Sequence, residues 1–284
     1  MSSPLVEGWL YATVPIENPQ GESGTGFLVF RIIDADRGRI FLVTNKHVVH
    51  KDPAQRPATS HITCHFNTTE DDGSVGTVAG EIPLANPDGG KRYREHPDLE
   101  TDVLAVDVTD VMNLNPKIQK KWVGYDMFAD HTKRDELDIT VGEEVVTIGY
   151  PLGLRQGQTN FPLLRQGLIA TRIGYPIKDK VQNPDGSYRD RTLRAFLIDG
   201  ATVPGSSGSP VVLKPVIGRQ VRDSIVMGTA PPVLLGIVAE TRYAPIQIGT
   251  GVIPGFAGLG LAFDVETVRE TVELFFHGQG GPAT

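Results

Sequence analysis

Residues Gly205, Ser206, Ser207, Gly208, Ser209 and Pro210 lie between two apolar runs, Phe196-Leu197-Ile198 and Val211-Val212-Leu213. Short apolar runs separated by a glycine-rich segment read as strands joined by a tight turn. Glycine supplies the backbone angles of such a turn without a steric penalty. The missing side chains also leave backbone N–H groups open toward a carbonyl, as stabilisation of a developing oxyanion requires. Glycine–serine turns serve equally as plain hairpin loops, so the segment gains weight only with partners elsewhere in the chain.

A serine hydroxyl becomes a nucleophile when an imidazole takes its proton and a carboxylate fixes the imidazole's tautomer. Among seven histidines, His47 follows the β-rich run Phe41-Leu42-Val43-Thr44, at the mouth of a strand rather than inside it. Asp102 heads the alternating stretch Val103-Leu104-Ala105-Val106-Asp107-Val108. Histidine, aspartate and serine in this chain order form one of the known arrangements of the trio. His50, near Pro53, competes with His47 for the base. Asp98, Glu100 and Asp107 compete with Asp102, which alone directly precedes the apolar alternation.

Seven blocks together carry a family resemblance. They are Ser23 to Val29, Thr44 to Val49, Thr101 to Val106, Ile148 to Gly153, Arg165 to Ala170, Pro204 to Pro210 and Gly258 to Phe263. In this order they resemble trypsin-like serine proteases of the chymotrypsin fold, closest to the HtrA-type branch without its PDZ domain. The resemblance implies an all-β architecture: two antiparallel six-stranded β-barrels and a C-terminal α-helix. It implies His47 as general base and acid, Asp102 as its orienting partner and Ser207 as nucleophile. The backbone N–H groups of Gly205 and Ser207 would form the oxyanion hole. The expected activity is a serine endopeptidase working through an acyl-enzyme. A silent peptide-binding scaffold and an esterase-type acyl hydrolase are the alternatives.

Composition agrees with this reading. A chain of 284 residues is long enough for two β-barrels, and 32 glycines with 21 prolines fit a turn-rich fold. The first barrel is expected over residues 1–112, a polar connection over 113–139, and the second barrel with its helix over 140–284. Strands are expected at Trp9–Pro15, Thr25–Ile33, Ile40–Thr44, His61–Phe66, Thr77–Ile82 and Val103–Val108. The second set is Glu144–Gly149, Leu163–Ile173, Arg191–Ile198, Pro210–Lys214, Leu234–Ala239 and Leu259–Phe263. Tyr175–Asp190 reads as an extended hairpin near the cleft. Asp264 is an N-cap for a helix over 264–276, with Val265, Val268, Val272 and Phe275 on one stripe.

The net charge of −7 disfavours nucleic acid or an anionic membrane as partner. The expected partner is a protein or peptide substrate, with room for a homo-oligomer or a regulatory protein. Arg189, Arg191 and Arg194, with Lys178 and Lys180, read as a solvated hairpin rather than a phosphate site. Gly24-Thr25-Gly26 lacks the lysine–serine pair of a phosphate loop. His61, Cys64 and His65 lie in an alternating strand that separates Cys64 from the two histidines, so no metal and no cofactor are expected. Cys64 is the single cysteine, and residues 1–8 lack the basic start and apolar core of a secretory leader, which together predict a cytoplasmic chain.

Departures from the family pattern bear on regulation and specificity. In secreted digestive relatives, an aspartate before the nucleophile pairs with a newly cut N-terminus; Ser206 stands at that position. Cleavage-dependent activation is therefore not expected, and something else must order residues 203–207. The base of the substrate pocket would be Ala201, followed by Thr202 and Val203, with Ala239, Glu240 and Thr241 on the opposite strand. Without an anion at its base, the pocket suits a small or medium aliphatic side chain, because a buried cation would lose its solvation unpaired. A Glu240 carboxylate turned inward would restore a basic preference.

Overall fold

In a computed structural model of the chain, the described residues are 4–50, 59–183, 185–200, 202–222, 224–227, 232–248 and 251–276. The chain opens with helix α1 (Pro4–Ala12). Eight strands then build the first lobe: β1 (Thr13–Glu17), β2 (Ser23–Ile32), β3 (Gly38–Thr44), β4 (His61–Thr69), β5 (Val75–Pro83), β6 (Tyr93–Glu95), β7 (Leu104–Asp107) and β8 (Val123–Gly124). Their order is β5-β4-β1-β2-β3-β7-β6, with β8 parallel to β2. Short helices α2 (Lys46–Val49), α3 (Thr109–Leu114) and α4 (His131–Glu136) interrupt the connections.

The second lobe is a closed six-stranded barrel in the order β10-β13-β18-β17-β14-β9. Its strands are β9 (Glu144–Gly149), β10 (Leu163–Ile169), β13 (Ala195–Asp199), β14 (Pro210–Leu213), β17 (Leu234–Ile248) and β18 (Gly251–Asp264). Two separate hairpins decorate it, β11 (Ile177–Gln182) with β12 (Tyr188–Leu193), and β15 (Gly218–Val221) with β16 (Ser224–Met227). Helix α5 (Val265–Glu273) closes the fold. Asp264 caps it by accepting the Glu266 N–H at 3.2 Å, as its sequence position predicts.

Strand periodicity explains how the lobes meet. Side chains of successive residues leave a strand on opposite faces. On β3, Ile40 and Leu42 enter the interior of the first lobe, while Phe41 and Val43 face the second lobe and α5. On β2, Leu28 points inward, and Phe27 and Val29 outward into the same shared layer. Both faces are thus dry, which is why these strands read as continuous apolar runs rather than as alternation. Val265, Val268 and Val272 of α5 cover that layer, together with Trp9, Phe128, Leu234 and Phe263. Each such large side chain contributes roughly 1.5–3 kcal/mol on burial.

Several local expectations change. Trp9–Pro15 is the end of α1 followed by β1; Trp9 and Ala12, three residues apart, are buried on one helical face. The Arg191–Ile198 run divides at Arg194, whose guanidinium turns to Glu270 at 2.7 and 2.9 Å. The polar stretch after residue 112 carries α4 and contributes β8 to the first sheet. Leu234–Ala239 continues as β17 to Ile248, where exposed Tyr243 leaves no core pattern to read. Strand β6 went unseen because it holds a single buried apolar residue, Tyr93. Among the described residues, no helix is long and apolar enough to cross a membrane.

Candidate active site

The candidate site draws its residues from three distant segments. Strand β3 ends at Thr44, and the short α2 turn presents His47 at the rim, with 45 % of its side chain exposed. Asp102 lies just before β7. The His47 Nδ1 stands 2.5 Å from Asp102 Oδ2, and the His47 backbone N–H donates to Asp102 Oδ1 at 3.3 Å. Asn45 Nδ2 donates to the Asp102 carbonyl at 2.6 Å, and the buried Lys46 ammonium to the carbonyls of His96 and Asp98, both at 3.0 Å. The residues flanking the imidazole therefore tie its turn to the aspartate loop. A carboxylate accepting from Nδ1 leaves Nε2 with its lone pair free, the tautomer a general base needs.

The electrostatics of the ring follow from this geometry. Burial opposes a positive charge on His47. The hydrogen bond and charge of Asp102 outweigh it, with Glu240 and Glu22 adding in the same direction, so the imidazole titrates above its ordinary range.

Ser207 lies in the turn before β14. Its hydroxyl donates to the Ala239 carbonyl on β17 at 3.2 Å, and no hydrogen bond to the His47 ring is formed. Gly205 has φ +88° and Gly208 φ +87°, backbone that a side chain would strain. The Ser206 N–H donates to the Val203 carbonyl at 2.9 Å, and the Ser206 hydroxyl accepts from the Val203 N–H at 3.3 Å. Ser206 thus stitches its own loop, where an aspartate would reach elsewhere. Among the described residues, the backbone N–H groups of Gly205 and Ser207 donate to no protein acceptor.

The competing residues are engaged elsewhere. His50 is buried with its ring against Tyr93 at 5.3 Å, and Glu95 lies 3.8 Å from its Nε2. Asp98 accepts from the Thr101 hydroxyl at 2.9 Å, Glu100 pairs with Arg189 at 2.6 Å, and Asp107 pairs with Arg39 across the sheet. In β4, Cys64 is buried, whereas His61 and His65 occupy the opposite, partly exposed face. Among the described residues, no group of three or more His, Cys, Asp or Glu side chains is arranged to hold a metal ion.

Ala201, expected at the base of the substrate pocket, lies outside the described residues. Thr202 is buried, Val203 half-buried, and Ala239 buried on β17. Glu240 is not free to enter a pocket: Arg191 grips it through two hydrogen bonds of 2.9 and 2.8 Å, and Arg242 approaches it at 3.3 Å. Asp179 completes this group, 2.8 Å from Arg191 and 2.7 Å from Arg242. The hairpin read from sequence as a solvated charge cluster is therefore an ion-pair network against the strand beside Ser207. Glu240 and Arg191 each stood out in the sequence, but nothing there paired them across 49 positions.

Thr25 is the residue that sequence reading missed most. Buried on β2, it donates its N–H to the Ser207 carbonyl at 2.8 Å and its hydroxyl to the Gly205 carbonyl at 2.9 Å. The same hydroxyl accepts the Tyr150 N–H at 3.0 Å. In the sequence it was one residue of the Ser23–Val29 block, the start of an expected strand and the middle of Gly24-Thr25-Gly26, with nothing to single out its hydroxyl.

Solved structures of known proteins are similar to the chain. The solved structure of Rv3671c from M. tuberculosis H37Rv, a serine-to-alanine mutant in an inactive form, superposes with a TM-score of 0.50 at 16% identity, covering 99% of this chain and 94% of that one. An active form of the same protease gives 0.48 at 18% identity, covering 99% and 87%. Deg5 gives 0.49 at 18% identity, covering 96% and 93%. At such identities the likeness to the first speaks for the fold alone. The sequence itself goes further, because the family model of the trypsin-like peptidase domain matches residues 24–215, a span containing His47, Asp102 and Ser207. Two β lobes, a closing helix and this match over well over half of the chain place it plainly: the protein belongs to the trypsin-like peptidase family.

Proposed function

We propose that the protein is a serine endopeptidase in which Ser207 attacks the scissile carbonyl, His47 relays the proton and Asp102 orients the imidazole. The observation that carries this reading is the 2.5 Å contact between His47 Nδ1 and Asp102 Oδ2, which commits the ring to the base-competent tautomer. In the resting arrangement the serine hydroxyl is parked on the Ala239 carbonyl. In the proposed cycle the hydroxyl gives up that acceptor and passes its proton to His47 Nε2.

The reaction then runs in two halves. Proton transfer to Nε2 accompanies attack by Oγ, and the oxyanion of the tetrahedral intermediate is received by the unoccupied Gly205 and Ser207 N–H groups. One such donor contributes roughly 10²–10³ in rate. His47 returns the proton to the leaving amine, and water repeats the sequence on the acyl-enzyme. The imidazolium formed midway is stabilised by Asp102.

Side-chain selection before the cleaved bond favours small or medium aliphatic residues. Thr202, Val203 and Ala239 offer no anion, and the Glu240 carboxylate is neutralised by Arg191 and Arg242. A lysine or arginine would be desolvated there without a partner.

Ser207→Ala tests the assignment. Cleavage of a peptide library should vanish while the thermal midpoint stays nearly unchanged, and a fluorophosphonate probe should label Ser207 in the wild-type chain alone. A wild-type protein that binds peptides yet resists the probe would be a scaffold. One that turns over simple esters but no peptide would be an acyl hydrolase of another kind. Unfolding of Ser207→Ala would make the hydroxyl structural.

A further inference from the structure

Ser206 leaves the loop 203–207 without the ion pair that an aspartate would provide, so another device must set the direction of the Gly205 N–H. A trans peptide unit is planar, with its C=O and the following N–H on opposite sides. Holding the Pro204 carbonyl therefore aims the Gly205 N–H. That carbonyl accepts the Leu152 N–H at 2.7 Å. Leu152 adopts left-handed backbone (φ 56°, ψ 23°) in the turn Pro151–Gly153, although it is not glycine and its side chain is exposed. Residues held in such conformations persist where their surroundings over-determine them.

The next carbonyl is held as well. Gly205 C=O accepts the Thr25 hydroxyl at 2.9 Å, and that hydroxyl accepts the Tyr150 N–H, two residues before Leu152, at 3.0 Å. One buried oxygen from the first lobe thus links the Gly205 loop to the turn that secures Pro204. The seat is close: a Cβ on Gly205 would lie 2.4 Å from the Tyr150 carbonyl oxygen and 3.0 Å from the Leu152 nitrogen. A Cβ on Gly149 would lie 2.8 Å from the Thr25 hydroxyl oxygen. Neither peptide beside the Gly205 amide is left to turn freely.

We infer that the Thr25 hydroxyl is the positioning group of the oxyanion hole, orienting the Gly205 N–H by holding the Gly205 carbonyl directly and the Tyr150–Gly153 turn through the Tyr150 amide. This rests on the endopeptidase reading above. Thr25 touches neither substrate nor Ser207 Oγ; it acts through the Gly205 and Ser207 backbone. Without its hydroxyl, the peptides flanking Gly205 rotate and one oxyanion donor is withdrawn.

The experiment compares wild type, Thr25→Val, Thr25→Ala and Thr25→Ser on a peptide substrate with an aliphatic residue at the cleaved bond. Each variant is assayed at a temperature where circular dichroism shows it folded. Thr25→Val keeps the shape and loses the hydroxyl, so kcat should fall at least about tenfold, toward the 10²–10³ of a lost donor, with KM changing less than about threefold. Thr25→Ser should recover most of kcat. Crystal structures should show the Pro204 carbonyl on the Leu152 N–H in the serine variant and turned away in the valine variant. Should valine unfold the chain, Thr25→Ala carries the same kinetic and crystallographic comparison. Wild-type kcat in the folded valine or alanine variant, or a serine variant as slow as valine, overturns the inference and leaves the hydrolase reading standing. A wild-type chain that neither cleaves peptides nor reacts with the fluorophosphonate sinks the reading and this inference with it.

Discussion

Arg191 holds the Glu240 carboxylate with both terminal nitrogens, Nη1 to Oε1 at 2.9 Å and Nη2 to Oε2 at 2.8 Å. A two-pronged guanidinium–carboxylate pair is geometrically demanding and limits where the carboxylate can swing. Glu240 stands next to Ala239, whose carbonyl receives the Ser207 hydroxyl, so in the proposed reading its orientation decides whether the pocket sees an anion. Arg191→Ala removes the main restraint and leaves only Arg242 at 3.3 Å. The expected result is a rise of about tenfold or more in kcat/KM for arginine over alanine at the cleaved position, equivalent to ~1.4 kcal/mol of selectivity. A peptide-library profile of wild type and variant checks this. An unchanged profile would remove Glu240 from the pocket.

The raised titration of His47 has a direct kinetic consequence. In the proposed mechanism only the neutral ring accepts the serine proton, so activity should be lost as pH falls through the pKa of the folded protein. Since Asp102, Glu240 and Glu22 stabilise the imidazolium against the cost of burial, the acid limb of kcat/KM should inflect above the ordinary value of about 6.5. Glu240→Gln withdraws one of these charges and should move the limb to lower pH. The sign for stability is opposite in use: a pKa raised on folding contributes stability below the unfolded value and loses it as pH rises through the folded one. A pH–rate profile of the two proteins reads the first effect, and an inflection at or below 6.5 in wild type would contradict it.

Asp102→Asn replaces an acceptor that pins Nδ1–H by an amide that can donate to Nδ1 instead. The ring then favours the tautomer protonated on Nε2, which cannot take the Ser207 proton. With packing nearly unchanged, kcat should drop by roughly 10⁴ while substrate binding persists. Steady-state kinetics and a substrate titration of Ser207→Ala would separate the two effects. A loss under tenfold would mean that one of Asp98 or Glu100 can rearrange to serve the imidazole.

What the sequence disclosed, and what it hid, divides by the range of the interaction. The contact between His47 and Asp102 was legible because each lies just outside a strand marked by local pattern, and the structure brings the two into hydrogen-bond contact. Strands β2, β3 and β9 were legible for the same reason. Trp9–Ala12 misled because a short apolar run fits a helix and a strand equally, and only packing against the layer of Phe27 and Phe41 selects the helix. Thr25 and Leu152 stayed hidden because a hydroxyl bond spanning 180 positions and a backbone N–H leave no trace in periodicity. The outer halves of β17 and β18 were missed because paired but exposed strands, with Tyr243 and Phe256 in the open, carry no buried alternation.

Two glycines with similar backbone and different surroundings isolate how closely the lobes are joined at the Ser207 turn. Gly208 (φ +87°) and Gly89 (φ +82°) are both left-handed. A Cβ on Gly89 meets nothing within 4 Å, whereas one on Gly208 would lie 1.8 Å from the Thr25 carbonyl oxygen and 2.7 Å from the Thr44 hydroxyl. Gly89→Ala should therefore cost only the backbone strain of an alanine in that region, about 1–2 kcal/mol. Gly208→Ala adds overpacking against backbone that cannot yield like a side chain, a further ~1–3 kcal/mol. It must also push β2 from the Ser207 turn, breaking the 2.8 Å bond from the Thr25 N–H to the Ser207 carbonyl. Urea unfolding should rank wild type above Gly89→Ala above Gly208→Ala, and activity should follow only the last step of that ranking. Equal costs at the two sites would mean that the first lobe does not press on the Ser207 loop, and the tight seam between Thr25 and Gly208 would have to be abandoned.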